Sequence, residues 1–154
     1  MNPSPTPYPL QAQLAQTGRP GIFRITTREM VALNEAAAAL NLTFLNVDLT
    51  KSTNVPSFIK ALKRDLNFPD WFGGNLDALN DCLTDFSWHP AAGYVITLSG
   101  SERLRSNPTS FAMLNEVLAN AVEEWQKRNV PFWVFYVVDD LAPVDTKNLA
   151  SPCT

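Results

Sequence analysis

The sequence is poor in the residues that staple a fold, hold a metal or carry chemistry. Its 154 residues include two cysteines, one histidine and six glycines. Cys82 lies mid-chain and Cys153 next to the last residue, so a bridge would join a fraying end to the interior, and no disulfide framework is expected. At this length a chain hides roughly 70% of its unfolded surface, which suffices for one core without staples. There is no Cys and His spacing for zinc, no glycine-rich phosphate loop and no Gly-x-Ser-x-Gly elbow, so neither a metal nor a cofactor is expected. Long apolar runs are also missing, and the longest, Phe132 to Val138, is far too short to cross a bilayer. The opening MNPSPTPYP lacks the cationic and apolar stretches of a secretory signal, so a cytoplasmic location without membrane attachment is expected.

Positive charge is missing from one whole segment. The chain carries 12 Lys and Arg against 15 Asp and Glu, a net charge of −3, which argues against a nucleic-acid binder because such domains are usually basic. Between Asp65 and Ser101 there are five aspartates (65, 70, 77, 81, 85) and no Lys or Arg. That window therefore holds −5, and 12 cations against ten carboxylates elsewhere leave +2.

Proline and periodicity divide the rest. Residues 1–20 hold Pro3, Pro5, Pro7, Pro9 and Pro20 and read as a flexible leader; residues 141–154, with Pro143 and Pro152, read as a flexible tail. Between them, residues 21–140 form a single domain in which short apolar runs alternate with helical patterns. Strands are expected at Gly21 to Ile25, Phe44 to Leu49, Tyr94 to Leu98 and Phe132 to Val138. Thr26 followed by Glu29 forms a capping box that opens an alanine-rich helix ending near Asn41. Asn54 and Pro56 open a helix closed by Asn67-Phe-Pro69. Asn107-Pro108 starts a long helix with Phe111, Leu114, Val117, Leu118, Ala121, Val122 and Trp125 on one stripe. Strands separated by helices predict an α/β fold, a small mainly parallel sheet of about four strands flanked by helices.

The acidic window contains the most specific pattern, Phe68-Pro-Asp-Trp-Phe-Gly-Gly-Asn-Leu-Asp-Ala-Leu-Asn-Asp-Cys-Leu-Thr-Asp-Phe86. Pro69 and Gly73-Gly74 make a tight loop, and Asn75 is placed to cap a helix. At about 100° per residue, Leu76, Leu79, Cys82, Leu83 and Phe86 share the core side. Asp77, Asp81 and Asp85 fall opposite, with Asp81 almost diametrically placed. Such a stripe is usually just the wet side of a helix. Here, however, aligned like charges cost about 0.2–0.5 kcal/mol per pair, Asp85 opposes the helix dipole, and Trp71 and Phe72 stand beside the stripe on a loop without core periodicity. Together they describe a docking surface for something cationic.

The string Phe-Pro-x-Trp-Phe-Gly-x-Asn-Leu-Asp-Ala-Leu-x-Asp-Cys-Leu-Thr closely resembles the barstar family, intracellular protein inhibitors of barnase-type ribonucleases. The resemblance covers about residues 44–138, the barstar-like core; residues 21–43 add a strand and helix, as in a longer bacterial variant, and the sequence leaves open whether these pair within the chain or with another. The resemblance implies that the loop and acidic helix plug a nuclease active site, carboxylates standing in for RNA phosphates. Asp77 and Asp81 match the two inhibitory aspartates; Trp71, Gly73 and Asn75 match loop contacts; Glu124, or Glu123 beside it, matches an acidic contact on the long helix. Three positions depart from the family: Asn80 stands for a bulky aromatic, Gly74 for a Glu, and Asp85 for a small residue.

The partner-binding set expected is therefore Trp71, Phe72, Gly73, Asn75, Asp77, Asn80, Asp81, Thr84, Asp85 and Glu124. The partner expected is a basic ribonuclease, secreted or contact-delivered, with the free protein a monomer that binds neither nucleic acid nor membrane. The alternative is a non-enzymatic module for another basic protein. Neither reading makes the chain an enzyme. Carboxylates on one straight helix cover only one side of a cation's coordination sphere, a convex aspartate face offers no burial to raise a catalytic pKa, and Cys82, a paper partner for His89, lies on the core side of its helix.

Overall fold

Seven consecutive apolar residues, Phe132 to Val138, cannot sit in a sheet with one wet face, and the architecture follows from covering both sides of that strand. The computed structural model describes residues 22–69, 73–86 and 90–138. The leader, the tail, Trp71, Phe72 and His89 lie outside these described residues.

In chain order the elements are β1 (Ile22–Thr26), α1 (Glu29–Ala39), β2 (Thr43–Asp48), α2 (Val55–Leu66), α3 (Leu76–Leu83), β3 (Tyr94–Ser99), α4 (Glu102–Arg105), α5 (Pro108–Lys127) and β4 (Phe132–Val138). All three strand pairings are parallel, in the order β1-β4-β3-β2. The register sets Ile22 beside Val134 and Thr26 beside Val138, so the additional strand pairs within the chain and closes the free edge of β4.

Alternation along the strands sorts two cores. On one face Val47, Tyr94, Ile96, Leu98, Phe132, Val134 and Tyr136 pack under α2, α3 and α5. On the other, Phe23, Ile25, Val95, Trp133, Phe135 and Val137 meet Leu33, Ala36 and Ala37 of α1. Without β1 and α1, Val95, Trp133, Phe135 and Val137 would face water, at about 1.5–3 kcal/mol per large side chain.

Local signals explain most boundaries. Asn54 and Ser57 form a reciprocal capping box: Ser57 N–H donates to Asn54 Oδ1 (3.1 Å), and Asn54 N–H donates to Ser57 Oγ (2.9 Å). Asn41, Asn67 and Asn129 adopt left-handed backbone (φ 60°, 54° and 59°) just beyond α1, α2 and α5, where Asn is the commonest substitute for glycine. The Thr26 and Glu29 pair behaves differently from the expected box. Glu29 Oε1 accepts from Thr26 N–H (2.8 Å) and from the Thr26 hydroxyl (3.0 Å), and α1 begins at Glu29 itself, because Thr26 is still the last residue of β1.

That bond and a counterpart blunt the sheet's two edges. Thr26 N–H meets Glu29 on β1, while on β2 Asp48 N–H donates to Asp65 Oδ2 (2.8 Å) and Arg64 Nη2 donates to the Asp48 carbonyl (2.9 Å). Neighbouring helices thus supply the partners an adjoining strand would otherwise supply.

Candidate protein-docking face

The segment before α3 must turn sharply, and Gly74 does so at φ +79°, in the left-handed region with open space around it. Asn75 follows in extended conformation and caps α3, its Oδ1 accepting from Ala78 N–H at 2.8 Å. Over the next eight residues the helix buries Leu79, Cys82 and Leu83 completely, half-buries Leu76 and exposes Asp77 and Asp81. Asp77 sits in the first turn, where the helix dipole favours it. Among the described residues no cation pairs with Asp77 or Asp81, although successive turns place them only about 6 Å apart.

The inner side of α3 is held firmly. Trp125 Nε1 of α5 donates to the Leu83 carbonyl (2.8 Å), satisfying one group at the helix end, and the Thr84 hydroxyl donates to the Asn80 carbonyl (2.9 Å). Just beyond, Phe86 stacks on Tyr94 at 4.5 Å within a cluster that includes Trp125 and Phe132, and Arg128 lies 4.6 Å above the Trp125 ring. Asn120 Nδ2 of α5 donates to Asn80 Oδ1 at 2.6 Å, fixing the seam between the helices. Trp125 and the Phe132-Trp133 run are core residues, as their periodicity predicted.

Some expected residues sit elsewhere than the sequence suggested. Asp85 lies two residues past the end of α3, in a turn whose N–H bonds back to the Cys82 carbonyl, so within the helix the aligned pair is Asp77 and Asp81 alone. Asn80 is half-buried with its oxygen committed to α5. Thr84 is the C-cap. Glu124 is one turn beyond Asn120 on the side of α5 that meets α3, half-buried and paired with Lys127 (3.2 Å), whereas Glu123 is exposed. Gly73 and Asn75 are exposed at the start of the face.

Asp65, counted from sequence with the acidic excess, belongs to a different structure. Arg64 holds it with two bonds (2.8 and 2.9 Å), and that guanidinium, together with the Asp48 N–H, keeps its carboxyl below the usual value of 3.8. Asp48 is held low in turn, chiefly by the Thr50 hydroxyl and N–H. Cys82 goes the other way. Burial, and then the nearby charges of Asp81 and Asp85, push its thiol to about 11, which removes it as a nucleophile at neutral pH. Among the described residues no group of three or more His, Cys, Asp or Glu could hold a metal ion, and no helix is long and apolar enough to cross a membrane.

Sequence reasoning missed Asn120. Its only signal was a short polar side chain on a long helix, and nothing local says which helix it faces.

Among solved structures, the Aeropyrum pernix ORC2 protein (ADPNP-ADP complexes) is similar at 16% identity and a TM-score of 0.52, covering 86% of this chain. Drosophila ORC bound to DNA is 16% identical with a TM-score of 0.48 over 93% of this chain. The chain spans 39% and 38% of those two structures, and at such identity the first likeness concerns the fold alone. No relative among curated proteins matches. The family model described as Barstar (barnase inhibitor) matches residues 42–137. That span runs from the residue before β2 nearly to the end of β4 and takes in Asn75, Asp77, Asp81 and Glu124, leaving out β1 and α1; the chain belongs to the barstar family.

Proposed function

We propose that this protein is an intracellular immunity protein, a monomer when free, that blocks the active site of a basic ribonuclease toxin, secreted or contact-delivered, by docking the 73–75 loop and the exposed side of α3 into it. The observation that carries the reading is the pair Asp77 and Asp81, exposed and, among the described residues, without a paired cation, on a helix whose opposite side packs against α5 and α2. A nuclease that binds the RNA backbone must collect Arg, Lys or His side chains, and two carboxylates one turn apart offer those cations the charge they evolved to meet. The anchoring matters as much as the charge, since a preformed helix loses little conformational freedom on binding. Chemistry by the protein itself plays no part in this reading.

A second reading, a module that regulates some other basic protein, draws support from the departures at Gly74, Asn80 and Asp85, which change the surroundings of the aspartate pair. The test is titration against a panel of purified basic microbial ribonucleases, barnase among them, and against any small basic protein encoded by the adjoining reading frame. Stoichiometric inhibition of RNA cleavage, with an association rate that falls steeply with salt, supports the first reading. Tight binding of a basic protein without RNA-cleaving activity would replace it with the second.

A further inference from the structure

Asn80 occupies an odd position for a contact residue. It follows Asp77 by three residues and adjoins Asp81, yet it is half-buried and its Oδ1 takes the 2.6 Å hydrogen bond from Asn120 Nδ2. Two carboxamides joined by one such bond keep one amino group and one oxygen spare, here Asn80 Nδ2 and Asn120 Oδ1. No described residue pairs with either atom. Neither is buried, since the one buried side-chain polar atom without a partner among the described residues is Arg24 Nε on β1. With Oδ1 committed to α5, Nδ2 is left unpartnered among the described residues and open to solvent, on a residue flanked in the helix by Asp77 and Asp81. The aspartates around it can only accept. Asn80 Nδ2 is thus a donor in a surface of acceptors, and a cation cannot satisfy it.

We propose that the Asn80 and Asn120 pair reads a hydrogen-bond acceptor on the partner, a peptide carbonyl or carboxamide oxygen lying between the cations that meet Asp77 and Asp81. The inference rests on the ribonuclease-inhibitor reading and narrows it: Asn80 determines specificity, and Asn120 is its positioning residue. A basic protein lacking that acceptor would bury the donor unpaired, so charge attraction alone would not select it.

Asn80→Asp separates this from a plain seam role. The substitution keeps the shape and the oxygen that Asn120 binds, removes the donor and adds a negative charge. Affinity is measured by calorimetry against the tightest-binding member of the ribonuclease panel, with urea unfolding of the free variants alongside. The expected result is a tenfold or greater loss for Asn80→Asp despite the added charge, with unfolding little changed. Asn120→Ala should weaken binding several-fold in the native background and have no further effect in an Asn80→Ala background, while Asn120→Gln should restore part of the loss. Unchanged or tighter binding by Asn80→Asp overturns the inference and leaves the inhibitor reading standing. Additive losses for Asn80→Ala and Asn120→Ala overturn the positioning role. If the unmodified chain binds no ribonuclease, the inhibitor reading falls and takes this inference with it.

Discussion

Asp65 and Asp81 both project from amphipathic helices whose apolar sides are buried, and they differ in every neighbour. Asp65 is gripped by Arg64 on its own helix and by the Asp48 N–H at the edge of β2, so its charge is matched and its carboxyl held low. Asp81 has a buried thiol next to it and no cation among the described residues. One carboxylate completes the fold; the other leaves its charge to a partner. Acidity counted along the chain does not distinguish them, and only the neighbours do.

Substitutions at the two positions should therefore give opposite profiles. The largest effect is expected for Asp81→Ala, which should weaken binding to the inhibited ribonuclease by roughly a hundredfold or more, because the partner's cations are left buried and unpaired. Asp65→Asn should leave that affinity unchanged. Calorimetry on both variants checks the pair, and comparable losses would erase the distinction.

Stability should reverse the order. Asp65→Asn is expected to cost about 1–2 kcal/mol in urea unfolding, through the lost ion pair with Arg64 and the weakened cap on Asp48 N–H. The same network sets a pH dependence. Asp48 and Asp65 both have folded values below 3.8, so their stabilisation is fully present above about pH 5 and disappears as pH falls through the folded values. Unfolding free energy measured from pH 6 down to pH 2 should drop over that window, with a shallower drop in Asp65→Asn. An unaltered slope would mean that other carboxylates govern acid unfolding.

The smaller effects lie on α3. Asp77→Asn should destabilise the free protein by about 0.3–1 kcal/mol, since it removes a charge from the first turn. Asp81→Asn should instead stabilise it by about 0.2–0.5 kcal/mol at low salt, by relieving repulsion from Asp77, with the gain shrinking as salt rises. Destabilisation by Asp81→Asn would show that this carboxylate serves the fold after all.

The sequence was sufficient wherever the signal is local. Asn54 with Ser57, Asn75 as a cap and Asn107-Pro108 mark helix starts because their partners stand within one turn. The four strands are legible because β-period apolar runs have no other use, and β4 announces by its continuous apolarity that both faces must be covered. The aspartate pair is legible for the same reason: the helical repeat that buries Leu79, Cys82 and Leu83 must expose Asp77 and Asp81. Asp85 was misplaced because its position depends on where the helix stops, and Phe86 leaves the helix to stack on Tyr94, eight residues further on.

What the chain determined by itself is thus the set of elements, their buried sides and the existence of an acidic face, all consequences of periodicity and short-range caps. What only the tertiary structure decided is which polar groups are already satisfied. β1 pairs with β4 across more than a hundred residues, Asp48 meets Asp65 across 17, and Asn80 meets Asn120 across 40. Those partners come together because the two cores stack helices on a shared sheet, and no local pattern encodes which polar side chains then face one another.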